Sequence, residues 1–308
     1  MSYTSPTAKA LSRIILQRIT SLQRDLQEKS RISEGAVRNL TLNHQDFLGT
    51  SPPLKRIRHP THILYLSAIA HRLAPRYGVA ATKVATDIAQ AITQQNMASW
   101  NQLEQTEPLI TLWQGITVQV TATNDLLFQI HDRAIAIWLN HLIHHPLTSP
   151  LASAHSASTL LTNPFPLQYA HARCCCLLQL ADRTGLIALQ GSDSATATWQ
   201  WVKPQSIPWL TPTEQLYPNH VAERHLISQL CTVLDQWSER SPTPKLLIQQ
   251  AEQVSQAFQV AHRAYPIWGD RSPEAIDRQQ AHLGLLLVTQ RVLRQLLNDL
   301  EIPAPREL

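Results

Sequence analysis

The sequence contains little glycine. Only 8 of its 308 residues are glycine, whereas 20 are proline. Phosphate-binding loops and tight strand turns use glycine because their backbone adopts left-handed conformations or approaches a ligand closely. The composition therefore argues against a glycine-rich, nucleotide-binding α/β fold.

Cysteine is also scarce, and its arrangement does not suit a metal site. Cys174, Cys175 and Cys176 are consecutive, Cys231 stands alone, and no Cys-x-x-Cys occurs. Consecutive helical residues point about 100° apart, so these three thiols cannot face one ion. We predict no metal and no cofactor, and interpret the cysteines as small buried residues in a reduced compartment. A nucleophilic cysteine paired with a distant histidine stays an alternative, because such pairs depend on spatial geometry.

Long apolar segments are missing as well. No run approaches the length that spans a bilayer, and residues 1–29 show a polar helical pattern without the apolar core of a signal peptide. The sequence predicts a cytoplasmic protein with no membrane partner.

The charge that is present comes mostly from arginine. The net charge is +4, with 20 arginines, 6 lysines and 14 histidines. The planar guanidinium suits phosphates and base edges better than an ammonium group does, which favours an RNA partner. A codon bias of the genome would give the same ratio, so composition alone leaves both explanations open.

The first half of the chain shows both helical and strand periodicity. Residues 59–93 read as two helices broken at Pro75 and Gly78. Residues 116–131 alternate between apolar and polar and predict a hairpin that turns at 123–125. We therefore predict an N-terminal α+β domain over 1–144, with a small sheet packed against helices.

The second half is predicted to be almost wholly helical. Residues 145–163 are rich in Ser, Pro and Ala and read as a linker to a domain over 164–308. A loop over 191–219 carries three tryptophans, which either attach the loop to the core or form base-stacking platforms; attachment is the more common use. Helices are predicted over 165–183, 220–239, 243–265 and 272–300.

Residues 167–181, LQYAHARCCCLLQLA, resemble the opening helix of the DALR anticodon-binding domain of arginyl-tRNA synthetases. A Gln-Tyr-Ala-His-Ala-Arg stretch is characteristic of that helix. Residues 281–308 are similar to the last helix and terminal tail of those enzymes. The resemblance spans about 164–308 and implies a mainly α protein: a small α+β domain followed by an all-α anticodon-binding helical bundle.

The first half bears a fainter resemblance to the same family. Residues 122–128, ATNDLLF, correspond to a hairpin of the N-terminal synthetase domain that contacts the tRNA elbow, with Leu127 where the family has asparagine. The catalytic domain, which lies between the two modules in those enzymes, has no counterpart here. No His-x-Gly-His or Lys-Met-Ser-Lys sequence occurs, so the chain is predicted to be no enzyme, with no catalytic residues.

Tyr169 and Arg173 lie four residues apart on the predicted helix and share a face. An exposed tyrosine and arginine can stack on a base and contact a phosphate of a single-stranded loop; alternatively, Tyr169 is a half-buried packing residue. The resemblance implies the first use, because the family positions border the anticodon loop. The predicted RNA-binding residues are Gln168, Tyr169, His171, Arg173, His262, Arg263, Tyr265 and Leu308.

Two functions follow from these observations. The leading hypothesis is a non-catalytic tRNA-binding protein, an adaptor or recruiter, with tRNA-Arg as the expected RNA and a tRNA-processing or modifying enzyme as a possible protein partner. The alternative is a protein interaction scaffold that has lost RNA binding. The mild net charge and the changes from the family pattern at Leu127, Pro166, His262 and Leu308 favour the scaffold. The Tyr169 and Arg173 pair favours RNA.

Overall fold

The chain forms two compact units in a computed structural model. The first unit is built from Leu11–His59 and Ile63–His131, and the second centres on Asp132–Leu308. The predicted mainly α fold class, with an N-terminal region that contains a sheet and a helical C-terminal domain, is confirmed. The structure describes residues 10–20, 53–94, 107–145, 147, 163–191, 199–239, 243–264 and 272–308.

The first unit contains a four-stranded antiparallel sheet. Its strands are β1 (Lys55–Ile57), β2 (Ile63–Ser67), β3 (Ile116–Val120) and β4 (Leu126–Ile130), in the order β1-β2-β4-β3. Alternate residues of β2 and β4 are buried, as expected for strands with one face on a core. The helices described in this unit are α1 (residues 11–20), α2 (Ile69–Tyr77), α3 (Ala81–Gln94) and α4 (Glu107–Gln114).

The predicted hairpin is confirmed. Strands β3 and β4 pair through Val118 and Phe128, and the turn between them contains Asn124 in a left-handed conformation (φ 63°). Asparagine tolerates this region because its short polar side chain bonds locally. The hydroxyl of Thr121 accepts a hydrogen bond from the backbone N–H of Asp125 at 3.1 Å, which closes the turn.

Two sequence predictions were wrong in detail. Residues 63–67 form strand β2, not helix, because they pair with β1 on one side and β4 on the other. Pro75 lies inside α2 and does not break it, and the helix ends at Gly78 with φ 62°. Proline in a helix removes one i→i−4 hydrogen bond, and α2 continues only two residues beyond Pro75, to where glycine readily adopts the left-handed cap.

The second unit consists mostly of helices. They are α5 (Asp132–His144), α6 (Phe165–Arg183), α7 (Val221–Glu239), α8 (Pro244–Ala264) and α9 (Pro273–Asp299), which confirms the four helices predicted beyond residue 164. Strand β6 (Gln200–Lys203) lies in the region predicted to be an irregular loop and pairs with β5 (Ala188–Gln190), which ends just before that region. Nearly all of the predicted linker lies outside the described residues.

Helix α5 belongs to the second unit. At its N-terminus, the carboxylate of Asp132 receives two hydrogen bonds from Arg224 of α7, at 2.5 and 2.6 Å. It also accepts the backbone N–H of Leu216 at 2.9 Å. Such bidentate pairs fix orientation as well as contribute energy. The domain boundaries predicted at 144 and 163 stay a prediction.

The tryptophans of the long loop attach it to the core, as the more common of the two interpretations predicted. Trp199, Trp201 and Trp209 are 6%, 7% and 4% exposed. The ring of Trp209 lies directly on α9 at Gly284, where a Cβ atom would come within 2.7 Å of the indole. Glycine at this position therefore permits the close approach of the loop to the helix.

We expect Gly284→Ala to destabilise the protein by about 1 kcal/mol. The gain in helix propensity, about 1 kcal/mol, is smaller than the cost of overpacking against a buried indole, about 1–3 kcal/mol. Urea denaturation measures the change in the free energy of unfolding.

As a matched control, the Gly284→Ala change is also made in a variant that carries Trp209→Leu. Without the indole, the same Gly284→Ala change should become neutral or stabilising, because only the propensity gain is left. An equal loss of stability in both backgrounds would contradict the proposed clash.

Candidate nucleic-acid interface

An exposed pair of aromatic rings lies at the start of α6. The side-chain carbonyl of Asn163 accepts the backbone N–H of Phe165 at 3.1 Å, and Pro166 occupies the first turn, where a missing N–H costs nothing. Phe165 and Tyr169, 56% and 44% exposed, stack with their ring centroids 6.2 Å apart. The i, i+4 spacing of a helix places the rings side by side.

A cationic side chain follows one turn later. Arg173 is exposed, and its Nη2 lies 3.5 Å from Nε2 of His262 on α8. His262 stacks on Phe258 with 5.7 Å between the ring centroids. Burial, and then the charge of Arg173, lower the pKa of His262. The imidazole therefore stays neutral beside the guanidinium.

We call Phe165, Tyr169, Arg173 and His262 the aromatic-arginine surface. Exposed rings on which bases can stack, next to a guanidinium that can contact a phosphate, have the chemistry of a binding surface for single-stranded nucleic acid. Arg263, the residue after His262, is exposed on α8.

His171 does not belong to this surface, which corrects the prediction that it contacts RNA. Its side chain is fully buried. Nδ1 lies 2.8 Å from the carbonyl oxygen of Pro305, and Nε2 lies 2.9 Å from the amide nitrogen of Gln290 on α9. A carbonyl only accepts and an amide nitrogen only donates, so the ring is neutral with its proton on Nδ1. Burial lowers its pKa in the same sense.

The C-terminal tail lies along α6 and is held by polar side chains of that helix. Gln168 donates its side-chain N–H to the carbonyl of Pro303 at 3.1 Å, and the thiol of Cys176 lies 3.6 Å from the carbonyl of Arg306. Gln168 therefore supports the tail. Leu308, for which the sequence predicts an RNA contact, lies at the end of the tail, and its side chain is 65% exposed. Tyr265 lies outside the described residues.

The cysteines of α6 are packing residues, as predicted. Cys174 and Cys175 are fully buried. Burial raises the pKa of both thiols, that of Cys175 to about 12. Such thiols stay protonated and unreactive near neutral pH. Sγ of Cys175 lies 3.8 Å from the ring nitrogens of His171. Because these nitrogens are engaged with the tail and with α9, the imidazole does not activate the thiol.

Phe165 is the residue of the surface that the sequence analysis missed. In the family that the sequence resembles, the aromatic residue stands three residues before Tyr169, at the position of Pro166, whereas the aromatic partner here lies four residues before it. Helical spacing was the available signal, since an i, i+4 pair shares a face.

The helical second unit carries exposed rings and an arginine on one side. Residues 167–308 of this unit match the family of the DALR anticodon binding domain. The match covers a domain whose role is anticodon binding and not catalysis. Neither a curated protein nor a solved structure is significantly similar to the chain.

The family match does not extend to the first unit, so the resemblance of residues 122–128 to the elbow-contacting hairpin stays a prediction. Within the described part of the chain, every helix is too short or too polar to cross a membrane.

We expect His171→Gln to destabilise the protein by about 1–3 kcal/mol, because it disturbs buried partners on both the tail and α9. The effect should depend on pH. The unfolded imidazole gains a proton near its usual pKa of 6.5, whereas the folded one gains it only at lower pH. The stability contributed by His171 is thus complete above about pH 6.5 and decreases as the pH falls below it.

Urea denaturation between about pH 5 and about pH 8 should therefore show a smaller loss of stability on acidification in His171→Gln than in the wild type. The exposed His225 on α7 offers a matched control, and His225→Gln should follow the wild-type profile. Parallel profiles for the wild type and His171→Gln would contradict the role given to the buried imidazole.

Proposed function

We propose that this protein is a non-catalytic tRNA-binding protein, similar to arginyl-tRNA synthetase, that contacts the anticodon loop through the aromatic-arginine surface. The observation that carries the proposal is the exposed Phe165 and Tyr169 stack, one turn from an exposed arginine, at the start of a segment that matches an anticodon-binding domain. Single exposed apolar residues are ordinary, whereas adjacent exposed rings form a contiguous patch of the kind that marks an interaction site.

The chemistry of the surface suits an unpaired loop. A base stacked on an aromatic side chain contributes about 1–3 kcal/mol, and stacking requires no particular base. Arg173 adds charge and hydrogen-bond donors for a phosphate or base edge. Arg263 extends the positive charge on α8. The surface can therefore hold a splayed loop, with its bases on the rings and its backbone toward the arginines.

The finer identity of the partners rests on the sequence resemblance. It supports tRNA-Arg as the RNA and a cytoplasmic location, where tRNAs are used. Because the catalytic sequences of the synthetases do not occur in the chain, the proposed role is that of an adaptor or recruiter that brings a tRNA to another protein. A tRNA-processing or modifying enzyme is a suitable partner class.

A protein interaction scaffold is the second candidate, and one observation favours it. Gln168 and His171, two of the polar residues that the resemblance assigns to RNA, hold the C-terminal tail of the chain itself. Fewer polar groups are then available for specific readout of a loop. The two functions differ in whether tRNA affinity depends on the exposed rings.

Tyr169→Ala should weaken binding of tRNA-Arg by about 1–3 kcal/mol, because a stacked base loses its aromatic partner. Fluorescence anisotropy with labelled tRNA-Arg measures the change in Kd. Tyr169→Phe is the matched control, since it keeps the ring and should retain most of the affinity. A tRNA affinity that is the same in all three proteins would favour the scaffold over the proposed function.

Arg173→Ala should both weaken tRNA binding and reduce its dependence on salt. Loss of one phosphate contact releases fewer counterions, so the slope of log K against log salt concentration should decrease in magnitude by about 0.7–0.9. The control is Arg183→Ala, which removes an exposed arginine from the last turn of the same helix. If both substitutions change the slope equally, the change in slope is a general effect of charge and not a property of the aromatic-arginine surface.

A further inference from the structure

A second possible binding site lies in a cavity of the helical unit. The cavity has a volume of about 530 Å³ and lies between the end of α5, strand β6 and the last turns of α9. This size is within the range of about 300–1,000 Å³ that is typical of sites for small ligands. None of the four residues of the aromatic-arginine surface lines it. Its walls include His144, His145, Trp199, Trp201, Arg291 and Arg294.

One of the two arginines is fixed in place by the protein. Arg291 donates hydrogen bonds to the backbone carbonyls of Leu142, at 2.9 Å, and Ile143 at the end of α5. It also donates to the carbonyl of Trp199 at 2.6 Å. These contacts order the guanidinium but do not neutralise it. Its charge therefore stays at the wall of the cavity.

In the described part of the chain, no carboxylate among the lining residues balances the positive charges of the cavity. Burial and then the charge of Arg294 lower the pKa of Arg291 to about 10. Burial, His145 and Arg291 lower the pKa of His144. The cations thus repel one another, and a bound anion would relieve this repulsion.

Arg294 is the arginine best placed to bind a ligand. It lies one turn after Arg291 on α9, is half-buried, and makes no hydrogen bond or ion pair with the other described residues. Burial lowers its pKa, and the charge of Arg306 acts in the same direction. The guanidinium is therefore positioned at the cavity with donors that the described residues leave unused.

Another part of the wall is aromatic. Trp199 and Trp201 are 6% and 7% exposed. The indole N–H of Trp201 donates to the carbonyl of Pro204 at 2.9 Å, and the guanidinium of Arg306 lies 5.5 Å from the ring of Trp199. Because the N–H of Trp201 is already engaged and most of each side chain is ring, the two indoles offer mainly apolar contact to a ligand.

We propose that this cavity binds a nucleotide phosphate, with Arg294 and the imidazoles of His144 and His145 around the phosphate and the tryptophan wall against the flat part of the ligand. A phosphate fits because it accepts several hydrogen bonds at once and matches the fork of a guanidinium. The ligand is either a free nucleotide or a phosphate-bearing nucleotide of an RNA strand. The site does not depend on the aromatic-arginine surface.

Isothermal titration of the full chain with adenosine 5′-monophosphate and with adenosine tests the proposal. The monophosphate should bind at least about tenfold more tightly than adenosine, because only it carries the phosphate. Arg294→Gln should weaken its binding at least about tenfold, whereas Arg183→Gln, a change of an exposed arginine on α6, should leave it unchanged. His144→Gln gives a second variant at the cavity, and thermal unfolding shows whether each variant is folded.

The source of the phosphate is distinguished by a short oligoribonucleotide with and without a 5′-phosphate. If the mononucleotide does not bind but the phosphorylated oligonucleotide does, and Arg294→Gln removes that preference, the ligand is an RNA terminus and the proposal stands. Binding of neither ligand, or an equal loss in Arg294→Gln and Arg183→Gln, would overturn it. Failure of tRNA binding in Tyr169→Ala concerns the other surface and leaves this result unaffected.

Discussion

Burial of α9 is the constraint on which the second unit depends. Of the 27 residues of this helix, 17 are buried, and it packs against α5, α6, α7 and α8. A helix that is buried on most sides must be surrounded by others. Each fully buried leucine contributes about 1.5–3 kcal/mol through the hydrophobic effect. The polar residues that α9 carries inside the unit are thereby held at fixed positions, and the cavity adjoins two of its arginines, Arg291 and Arg294.

The polar residues of α9 connect distant parts of the chain. Gln290 contacts His171 of α6, whose imidazole in turn holds the carbonyl of Pro305 in the tail. Arg291 binds carbonyls at the end of α5, 149 residues away in sequence. Buried polar groups need such partners, because an unpaired donor or acceptor would cost free energy. The tail and the end of α5 are therefore ordered by the same helix.

On α6, the residues of the proposed binding surface and the residues that pack inside the unit point in different directions. Phe165, Tyr169 and Arg173 recur every four residues on the exposed side, whereas His171 and Cys175, also four residues apart, point into the core. A rotation of about 100° per residue is sufficient to place neighbouring residues in different environments. The same short sequence therefore supplies both an open surface for a partner and the internal contacts that secure the tail.

The sequence by itself determined the elements whose information is local. Helical periodicity defined α6 to α9. The alternation of apolar and polar residues over 116–131, which include Val118 and Phe128, defined the hairpin. The shared face of Tyr169 and Arg173 followed from their spacing. Only the tertiary structure decided the rest. Strand β2 exists because two other strands pair with it, His171 is buried because the tail and α9 enclose it, and the phosphate cavity combines residues far apart in sequence. Local periodicity specifies which residues share a face, but the neighbour that covers a face is set by long-range packing.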